Sequence, residues 1–261
     1  MNGGKVNEES RVNAASTASV TIVGSGDAFA SGGRFHTCFM VEAAGRRYLI
    51  DCGASAPVAM KRLGIDSASI DAVIVSHLHG DHFGGIPFLA LDAQYLAGRD
   101  KPLAIAGPPG IAERVPAAMD ALYPGLLSGE LKYELRYTEL HAGATTDVAG
   151  AKVTPFAALH GGGAPAYSLR VECGGRTVVY SGDTGWSENL VAAAAGADLF
   201  ICEASFYSRD TGGHVSYEML LARRADFDCK RMILTHMGDD VLERLDTLKI
   251  EPAADGMKIE L

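Results

Sequence analysis

The sequence predicts an α/β fold, of the α+β kind, in which two sheets pack together and helices cover both outer faces. Short runs of β-branched and apolar residues recur along the chain, and turn residues close most of them. Helical patterns accompany these runs in both halves of the chain. Two strand-rich halves, each with its own helices, indicate two sheets with a shared core.

The first elements are a series of short strands and one helix. A β-branched run at 20–23 is ended by a Gly-Ser-Gly-Asp turn. Strands are expected at 35–43 and 46–51, joined by a tight Ala-Gly turn. A short helix is expected at 56–63, because a glycine follows it. Residues 72–75 read Ala-Val-Ile-Val, the continuous apolar run of a strand that is buried on both faces.

The remaining elements alternate between the two types. Helices are expected at 86–98, 111–122, 189–195, 216–227 and 239–248. Strands are expected at 103–106, 131–140, 152–159, 166–172, 176–180, 199–202 and 232–234. No linker or internal repeat stands out, so residues 19–261 are expected to form a single domain after a disordered, polar leader at 1–18.

Charge and cysteine content narrow the classes of function. The 261 residues include 23 Lys and Arg against 32 Asp and Glu, a formal net charge of -9, so bulk electrostatics do not recruit nucleic acid. The five cysteines are an odd number without a Cys-x-x-Cys pair, as in the reduced thiols of a cytoplasmic protein. No apolar run approaches the roughly 20 residues of a membrane span. We therefore expect a cytoplasmic protein without a membrane partner.

Four potential metal ligands lie within six residues, directly after the buried strand at 72–75. They are His77, His79, Asp81 and His82. In an extended backbone the first two project to the same side, and a sharp turn at Gly80 would aim the other two at a second point. Imidazole and carboxylate together suit zinc, and also manganese or iron.

Three more strand ends offer a metal-binding side chain. His160, Asp183 and His236 follow the expected strands at 152–159, 176–180 and 232–234, respectively. Six residues alone do not complete two coordination shells, so additional ligands are expected elsewhere in the chain. Polar groups just beyond strand ends are suited to this role, because functional loops lie at the carboxyl ends of strands.

With these residues the chain resembles the metallo-β-lactamase superfamily, and within it the branch of ribonuclease Z and related phosphodiesterases. The resemblance implies a four-layer αββα sandwich with two divalent metal ions at one edge. It also implies that His77, His79 and His160 bind one ion, that Asp81, His82 and His236 bind the other, and that Asp183 bridges them. True class-one lactamases have Arg at the position of His82 and Cys near the bridging position, so antibiotic hydrolysis is disfavoured.

Two further segments resemble ribonuclease Z elements. The segment from Cys202 to Phe206 resembles the Glu-Ala-Thr element, and His214-Val215-Ser216 resembles the His-Ser-Thr element. The resemblance implies that Glu203 pairs with His214 and that His214 protonates the leaving oxygen. A carboxylate partner would fix one imidazole tautomer and favour its protonated form. Arg34, in a segment that resembles the first motif, either contacts a substrate phosphate or is solvated.

These observations predict a phosphodiesterase that acts on a small or nucleotide-type phosphodiester through metal-bound hydroxide, with Asp81, His214 and Glu203 as catalytic residues. A thioester or lactone hydrolase of the glyoxalase II or lactonase type is the main alternative. A tRNA 3′-processing endonuclease is less favoured, because the chain is acidic and has no basic arm. An iron oxidoreductase would need a flavin partner, and a non-catalytic scaffold would not need the complete ligand set. The resemblance also suggests a homodimer.

Overall fold

The computed structural model describes residues 18–125 and 131–261. Fourteen strands lie in these ranges: β1 (Ser19–Gly24), β2 (Cys38–Ala43), β3 (Arg46–Ile50), β4 (Ala72–Ile74), β5 (Leu103–Gly107), β6 (Leu135–Glu139), β7 (Thr146–Val148), β8 (Ala151–Ala157), β9 (Tyr167–Cys173), β10 (Arg176–Tyr180), β11 (Ala197–Glu203), β12 (Cys229–Thr235), β13 (Glu251–Pro252) and β14 (Lys258–Glu260). The same ranges contain the α-helices α1 (Ala56–Arg62), α2 (Gly80–Phe83), α3 (Ile86–Tyr95), α4 (Ile111–Leu122), α5 (Glu188–Ala194), α6 (Tyr217–Ala222) and α7 (Asp239–Leu242). None of these helices is long and apolar enough to cross a membrane.

The strands form two seven-stranded mixed sheets. Sheet 1 has the order β14-β1-β2-β3-β4-β5-β6, and sheet 2 has the order β13-β12-β11-β10-β9-β8-β7. In sheet 1 the strands from β3 to β6 run parallel, and in sheet 2 those from β10 to β13 do. The remaining neighbours are antiparallel, including β14, which closes sheet 1 beside β1 with Ile259 opposite Val20.

Strand direction brings the predicted site residues to one edge of each sheet. In sheet 2, β8 is antiparallel to β9 and β9 is antiparallel to β10, so β8 points the same way as β10, β11 and β12. In sheet 1, β1 points the same way as β3 and β4 for the same reason. The loops that follow β8, β10 and β12 therefore leave sheet 2 in one direction, and the contact between His79 and His160 shows that the loop after β4 lies beside them.

Three apolar layers hold the sheets and helices together. Between the sheets, Phe39 and Ile74 of sheet 1 belong to the same buried cluster as Leu169 and Ile201 of sheet 2. A second cluster joins the other face of sheet 1 to α1, α3 and α4, and a third joins the other face of sheet 2 to α5, α6 and α7. The order helix, sheet, sheet, helix confirms the expected αββα sandwich.

The structure departs from the predicted elements mainly near the C-terminus. The helix expected at 216–227 ends at Ala222, and the one expected at 239–248 is a single turn followed by a 3₁₀ turn at Leu245–Thr247. Strands β7, β13 and β14 were not predicted, because two or three residues are too few to show an alternating pattern. Residues 1–17 of the predicted leader at 1–18 lie outside the described ranges, whereas Ala18 is buried and accepts from the Leu261 amide. The single domain at 19–261 stays a prediction.

Candidate metal centre

The ligand-rich segment at 77–82 changes from extended chain to helix at its midpoint. His79 is extended, with φ −85° and ψ 150°, and it precedes the first residue of α2. The backbone amides of His82 and Phe83 both donate to the His79 carbonyl. The chain changes direction at Gly80, as predicted, but Gly80 is the first residue of α2 and has no positive φ. The start of a helix, not the freedom of glycine, redirects the chain.

Three histidines from both sheets form the first group of potential ligands. His77 Nε2 lies 3.1 Å from His79 Nδ1, and His160 Nε2 also lies 3.1 Å from His79 Nδ1. One ring nitrogen from each residue lies within 4.8 Å of the others. Three imidazoles at this spacing can direct their lone pairs at one cation.

Two aspartates and two histidines form the second group. Asp81 Oδ2 lies 3.0 Å from His82 Nε2 and 3.3 Å from His236 Nε2. Asp183 Oδ2 lies 3.4 Å from both of these nitrogens, and it is also 3.8 Å from His77 Nε2 in the first group. Asp183 is therefore the carboxylate that stands between the two groups, as a bridging ligand would.

Two buried polar atoms in the second group indicate that the residues suit a cation. Among the described residues, His82 Nε2 and Asp183 Oδ1 are buried without a hydrogen-bond partner. Leaving a buried polar atom without a partner is costly, so such atoms require another ligand. A divalent metal ion would satisfy both atoms at once.

Burial and neighbouring charges shift the pKa values of the cluster in opposite directions. Burial lowers the pKa of His77 well below its usual value, and the nearby His82 adds to this shift. Burial also disfavours the charged form of His236, but Asp183 and a hydrogen bond to Asp81 raise its pKa to about 9. Burial would raise the pKa of Asp183, yet His236 and His82 hold it well below the usual range. Ionised carboxylates and a neutral His77 are forms that bind a cation.

Asp51 fixes the orientation of His82, and sequence reasoning missed it. Asp51 Oδ2 lies 2.7 Å from His82 Nδ1, while Ser76 donates to the carboxylate through both its amide and its hydroxyl. Asp51 is fully buried and has a φ of 58°, which a non-glycine residue adopts at a cost of about 1–3 kcal/mol. The contact holds the imidazole so that Nε2 faces the cluster. Asp51 directly follows β3, at the same sheet edge as the loop after β4, and this position could have identified it from the sequence.

The predicted partners Glu203 and His214 are in direct contact beside the cluster. His214 Nδ1 lies 3.1 Å and 3.0 Å from the two Glu203 oxygens. Burial disfavours the charged imidazole, but the bond to Glu203 raises the pKa of His214 overall. Since Nδ1 is engaged, Nε2 is the atom of this ring that is available to the cavity. The catalytic roles of both residues stay predictions.

Ser205 links this pair to the ligands and was also missed. Its hydroxyl lies 2.6 Å from Glu203 Oε2, 3.2 Å from His214 Nδ1 and 3.0 Å from His236 Nδ1. Ser205 donates to Glu203, so it can accept from His236 and thereby orient that ring. His236 itself has a φ of 53°, and its amide donates to the Ser25 carbonyl. The signal for Ser205 was its place in the segment that resembles the Glu-Ala-Thr element.

Arg34 has contacts that its predicted role did not anticipate. Its Nη1 donates to Ser25 Oγ at 2.8 Å and to the Ala253 carbonyl. It does not line the cavity above the ligand cluster within the described ranges. The geometry therefore gives no support to a contact between Arg34 and substrate.

The αββα sandwich and the cluster at its edge define a class of protein, the metal-dependent hydrolases of metallo-β-lactamase fold. Human tRNase Z, short form, shares this fold with a TM-score of 0.76 at 24% identity, over 92% of this chain and 98% of that one. Residues 18–250 match the family described as anti-Pycsar protein Apyc1, and the chain belongs to this family.

Two curated relatives cover most of the chain. A ribonuclease Z of Methanosarcina acetivorans is 27% identical over 278 residues, covering 85% of this chain and 89% of the relative. The anti-Pycsar protein Apyc1 of Bacillus phage 010DV004 is also 27% identical, over 86% of this chain and 91% of the relative. The chain is therefore a metal-dependent phosphoesterase of the ribonuclease Z and phosphodiesterase-like branch of the metallo-β-lactamase superfamily.

Proposed function

We propose that this protein is a phosphodiesterase that uses two divalent metal ions to hydrolyse a small or nucleotide-type phosphodiester. One ion would be held by His77, His79 and His160. The other would be held by Asp81, His82 and His236, with Asp183 between the two. Five imidazoles and two carboxylates favour zinc, with manganese or iron as alternatives.

The observation that carries this proposal is the position of the Glu203–His214 pair next to the ligand groups. One atom from each of His160, Asp183 and His214 lies within 4.8 Å of the others. This proximity supports a role for His214 beside the phosphate of the proposed substrate. A thioester or lactone hydrolase would need the metal ligands but would not need this pair.

The chain's own residues divide the chemistry between them. Metal ions bound here would supply Lewis-acid charge neutralisation and a water of lowered pKa. The carboxylate of Asp81 lies among the ligands, where it can orient the attacking water as well as hold an ion. His214 Nε2 can give its proton to the departing alkoxide, while Glu203 keeps the ring in the correct tautomer.

The charge of the cavity favours a small substrate over RNA. A cavity of about 570 Å³ lies over the cluster, within the usual range for small-molecule sites. Its lining includes Asp239 and Asp240, and Arg209 is the one Lys or Arg among the described residues that line it. A protein that grips many phosphates needs several such cations.

The test compares substrates and a His214→Ala variant. We expect bis-p-nitrophenyl phosphate to be hydrolysed much faster than a thioester or a lactone. His214→Ala should lower turnover of a diester whose leaving group is an alkoxide, such as thymidylyl-3′,5′-thymidine, by roughly 10²–10⁴-fold, because general-acid help is lost, whereas p-nitrophenolate leaves without a proton. Metal analysis should show unchanged metal content. His141→Ala, a change at an exposed histidine, is the matched control.

Other outcomes of this test point elsewhere. Full activity of His214→Ala on the dinucleoside diester would remove the general-acid role. Preference for the thioester or lactone would replace the proposal with the alternative hydrolase, and efficient cleavage of a precursor tRNA would replace the small substrate with RNA. Metal analysis of the wild type would identify the native ion.

The homodimer stays a prediction. Helices α1 and α3 and the residue after α3 expose large apolar side chains, with Val58 56%, Tyr95 62% and Leu96 78% exposed. Exposed apolar patches on soluble proteins often mark interaction sites. Sedimentation analysis of the purified protein would decide whether the chain pairs with a second copy.

A further inference from the structure

Part of the lining of the cavity over the ligand cluster consists of residues that the proposed chemistry does not use. Phe29, Phe206 and Arg209 line this cavity together with the metal ligands His79, Asp81, His160, Asp183 and His236. None of the three can serve as a metal ligand, and two of them are aromatic. They are therefore placed to contact the part of a substrate that does not react.

Phe29 is exposed although its backbone is firmly held. Its ring is 88% exposed at the cavity. The loop that carries it is organised by the Asp27 carboxylate, which accepts from the amides of Phe29 and Ser31 and from the Ser31 hydroxyl. The same loop is tied to another residue of the cavity lining, because the Gly32 amide donates to Asp239. A hydrogen-bonded loop that presents a bare aromatic ring at a site offers it to a ligand.

Arg209 is a cation with no carboxylate partner in the described part of the chain. Its guanidinium carbon lies 3.9 Å from the centre of the Phe206 ring. Within residues 18–125 and 131–261 it makes no ion pair and no side-chain hydrogen bond. Its N–H groups are thus available to an anion, while the ring of Phe206 backs the flat guanidinium.

The loop that carries Arg209 also carries His214. Phe206 pairs with Ser216 in an isolated β-bridge, which closes the loop between them. The Tyr207 amide donates to Asp240, and the Gly212 amide donates to Asp210. A change that removes only the Arg209 side chain leaves these backbone contacts in place. The loop can therefore bring a positive charge and the His214 ring to the same substrate.

Given the proposed phosphodiesterase function, on which this rests, we infer that Phe29 and Arg209 form a nucleotide-recognition subsite. Phe29 stacks on the nucleobase, and Arg209 binds a non-bridging phosphate oxygen. The substrate class is a diester of a single nucleotide, which the cavity volume of about 570 Å³ suits. Stacking on an aromatic ring is tolerant of base identity, so several bases are accepted.

The decisive experiment uses two diesters with the same leaving group. Thymidine 5′-(p-nitrophenyl phosphate) has a nucleobase, and methyl p-nitrophenyl phosphate has none. Phe29→Ala should raise KM for the thymidine diester roughly 5- to 150-fold, the range expected for one lost base stack, with kcat within about twofold. KM for the methyl diester should not change. Phe29→Trp should restore the wild-type KM, and Phe88→Ala, at an exposed phenylalanine that does not line this cavity, is the matched control.

Arg209 has a different expected pattern, because both diesters carry the phosphate. Arg209→Gln should raise KM for both substrates by a similar factor, roughly 10- to 150-fold for a charge-assisted contact. An effect of Phe29→Ala that is equal on the two diesters, or absent from both, would overturn the base contact. An unchanged KM in Arg209→Gln would overturn the phosphate contact.

A binding measurement separates failure of the subsite from failure of the proposed function. Titration calorimetry compares adenosine 5′-monophosphate with ribose 5-phosphate, which has no base. Phe29→Ala should weaken binding of the nucleotide and leave the sugar phosphate unchanged. Suppose that the wild type hydrolyses neither diester, but Phe29→Ala still weakens binding of the nucleotide and not of the sugar phosphate. The hydrolase proposal then fails and the subsite stands. If it hydrolyses both but Phe29→Ala binds the nucleotide normally, only the subsite fails.

Discussion

The two sheets contribute to the ligand cluster in different ways. Sheet 1 provides four potential ligands in the single segment at 77–82, where extended chain gives way to a helix. Sheet 2 provides His160, Asp183 and His236, each alone after its own strand. A local backbone pattern therefore arranges the first set, whereas only the shared direction of β8, β10 and β12 brings the second set together.

The supporting residues differ in the same way. On the sheet 1 side, Asp51 is a buried carboxylate that contacts His82 from behind. On the sheet 2 side, Ser205 is a neutral hydroxyl that contacts His236 and also the Glu203–His214 pair. A charged group thus orients His82 in the segment at 77–82. A neutral hydroxyl, by contrast, connects His236 to the Glu203–His214 pair, which is proposed to transfer a proton.

The largest effect is expected from Asp183→Asn, because Asp183 is the residue that contacts both groups. Loss of a residue that only hydrogen-bonds to a metal ligand weakens metal affinity by up to roughly 100-fold. Replacing Asp183, a proposed ligand itself, should weaken it by more. Chelator competition measures this affinity. Asp198→Asn, the same change at the start of β11, where the carboxylate pairs with Lys230, should leave affinity unchanged. Similar affinities for both variants would show that the two ligand groups do not share a carboxylate.

Asp51→Asn should have the next largest effect and should act through the sheet 1 ligands. Removing the charge behind His82 should weaken metal affinity roughly 10- to 100-fold. Asp71→Asn is the control, because Asp71 lies at the other end of β4 and pairs with Lys101. If Asp51→Asn only lowered the free energy of unfolding and left metal affinity intact, Asp51 would be a packing residue.

Ser205→Ala should have a smaller effect on affinity, about fivefold, since one neutral hydrogen bond contributes about 1 kcal/mol. It should also lower kcat, because the same hydroxyl contacts Glu203 and His214. Ser168→Ala removes another buried hydroxyl of sheet 2, which donates to the Ser181 carbonyl, and should change neither quantity. A Ser205→Ala effect as large as that of Asp51→Asn would mean that the two sides are supported equally.

The smallest effect is expected in the core between the sheets, and it has the opposite sign. The Tyr180 hydroxyl is buried without a hydrogen-bond partner among the described residues, while its ring packs edge-on against Phe39 at 5.0 Å. Tyr180→Phe keeps the ring and removes the unpaired group, so the free energy of unfolding should rise by about 1 kcal/mol. Urea denaturation measures it. A decrease in the free energy of unfolding would instead show that the Tyr180 hydroxyl has a hydrogen-bond partner. It would then differ from His82 Nε2 and Asp183 Oδ1, the unpaired buried atoms among the proposed metal ligands.

The difference between the two sheets also explains what could be predicted. The segment at 77–82 and the apolar runs around it predicted a ligand-rich loop after a buried strand, and the sandwich followed from two strand-rich halves. Asp51 and Ser205 were missed because their contacts join residues from different strands. The sequence did not predict where α6 and α7 end, nor the short strands β7, β13 and β14, because tertiary packing determines these features.

The sequence by itself determined the fold class and the chemical types of the candidate ligands, because hydrophobic periodicity and side-chain identity are local properties. Tertiary structure alone decided that seven such groups meet, since this depends on the directions of strands far apart in the chain. It also decided that Phe29 and Arg209 line the cavity over these groups, because only packing determines which exposed side chains face a site.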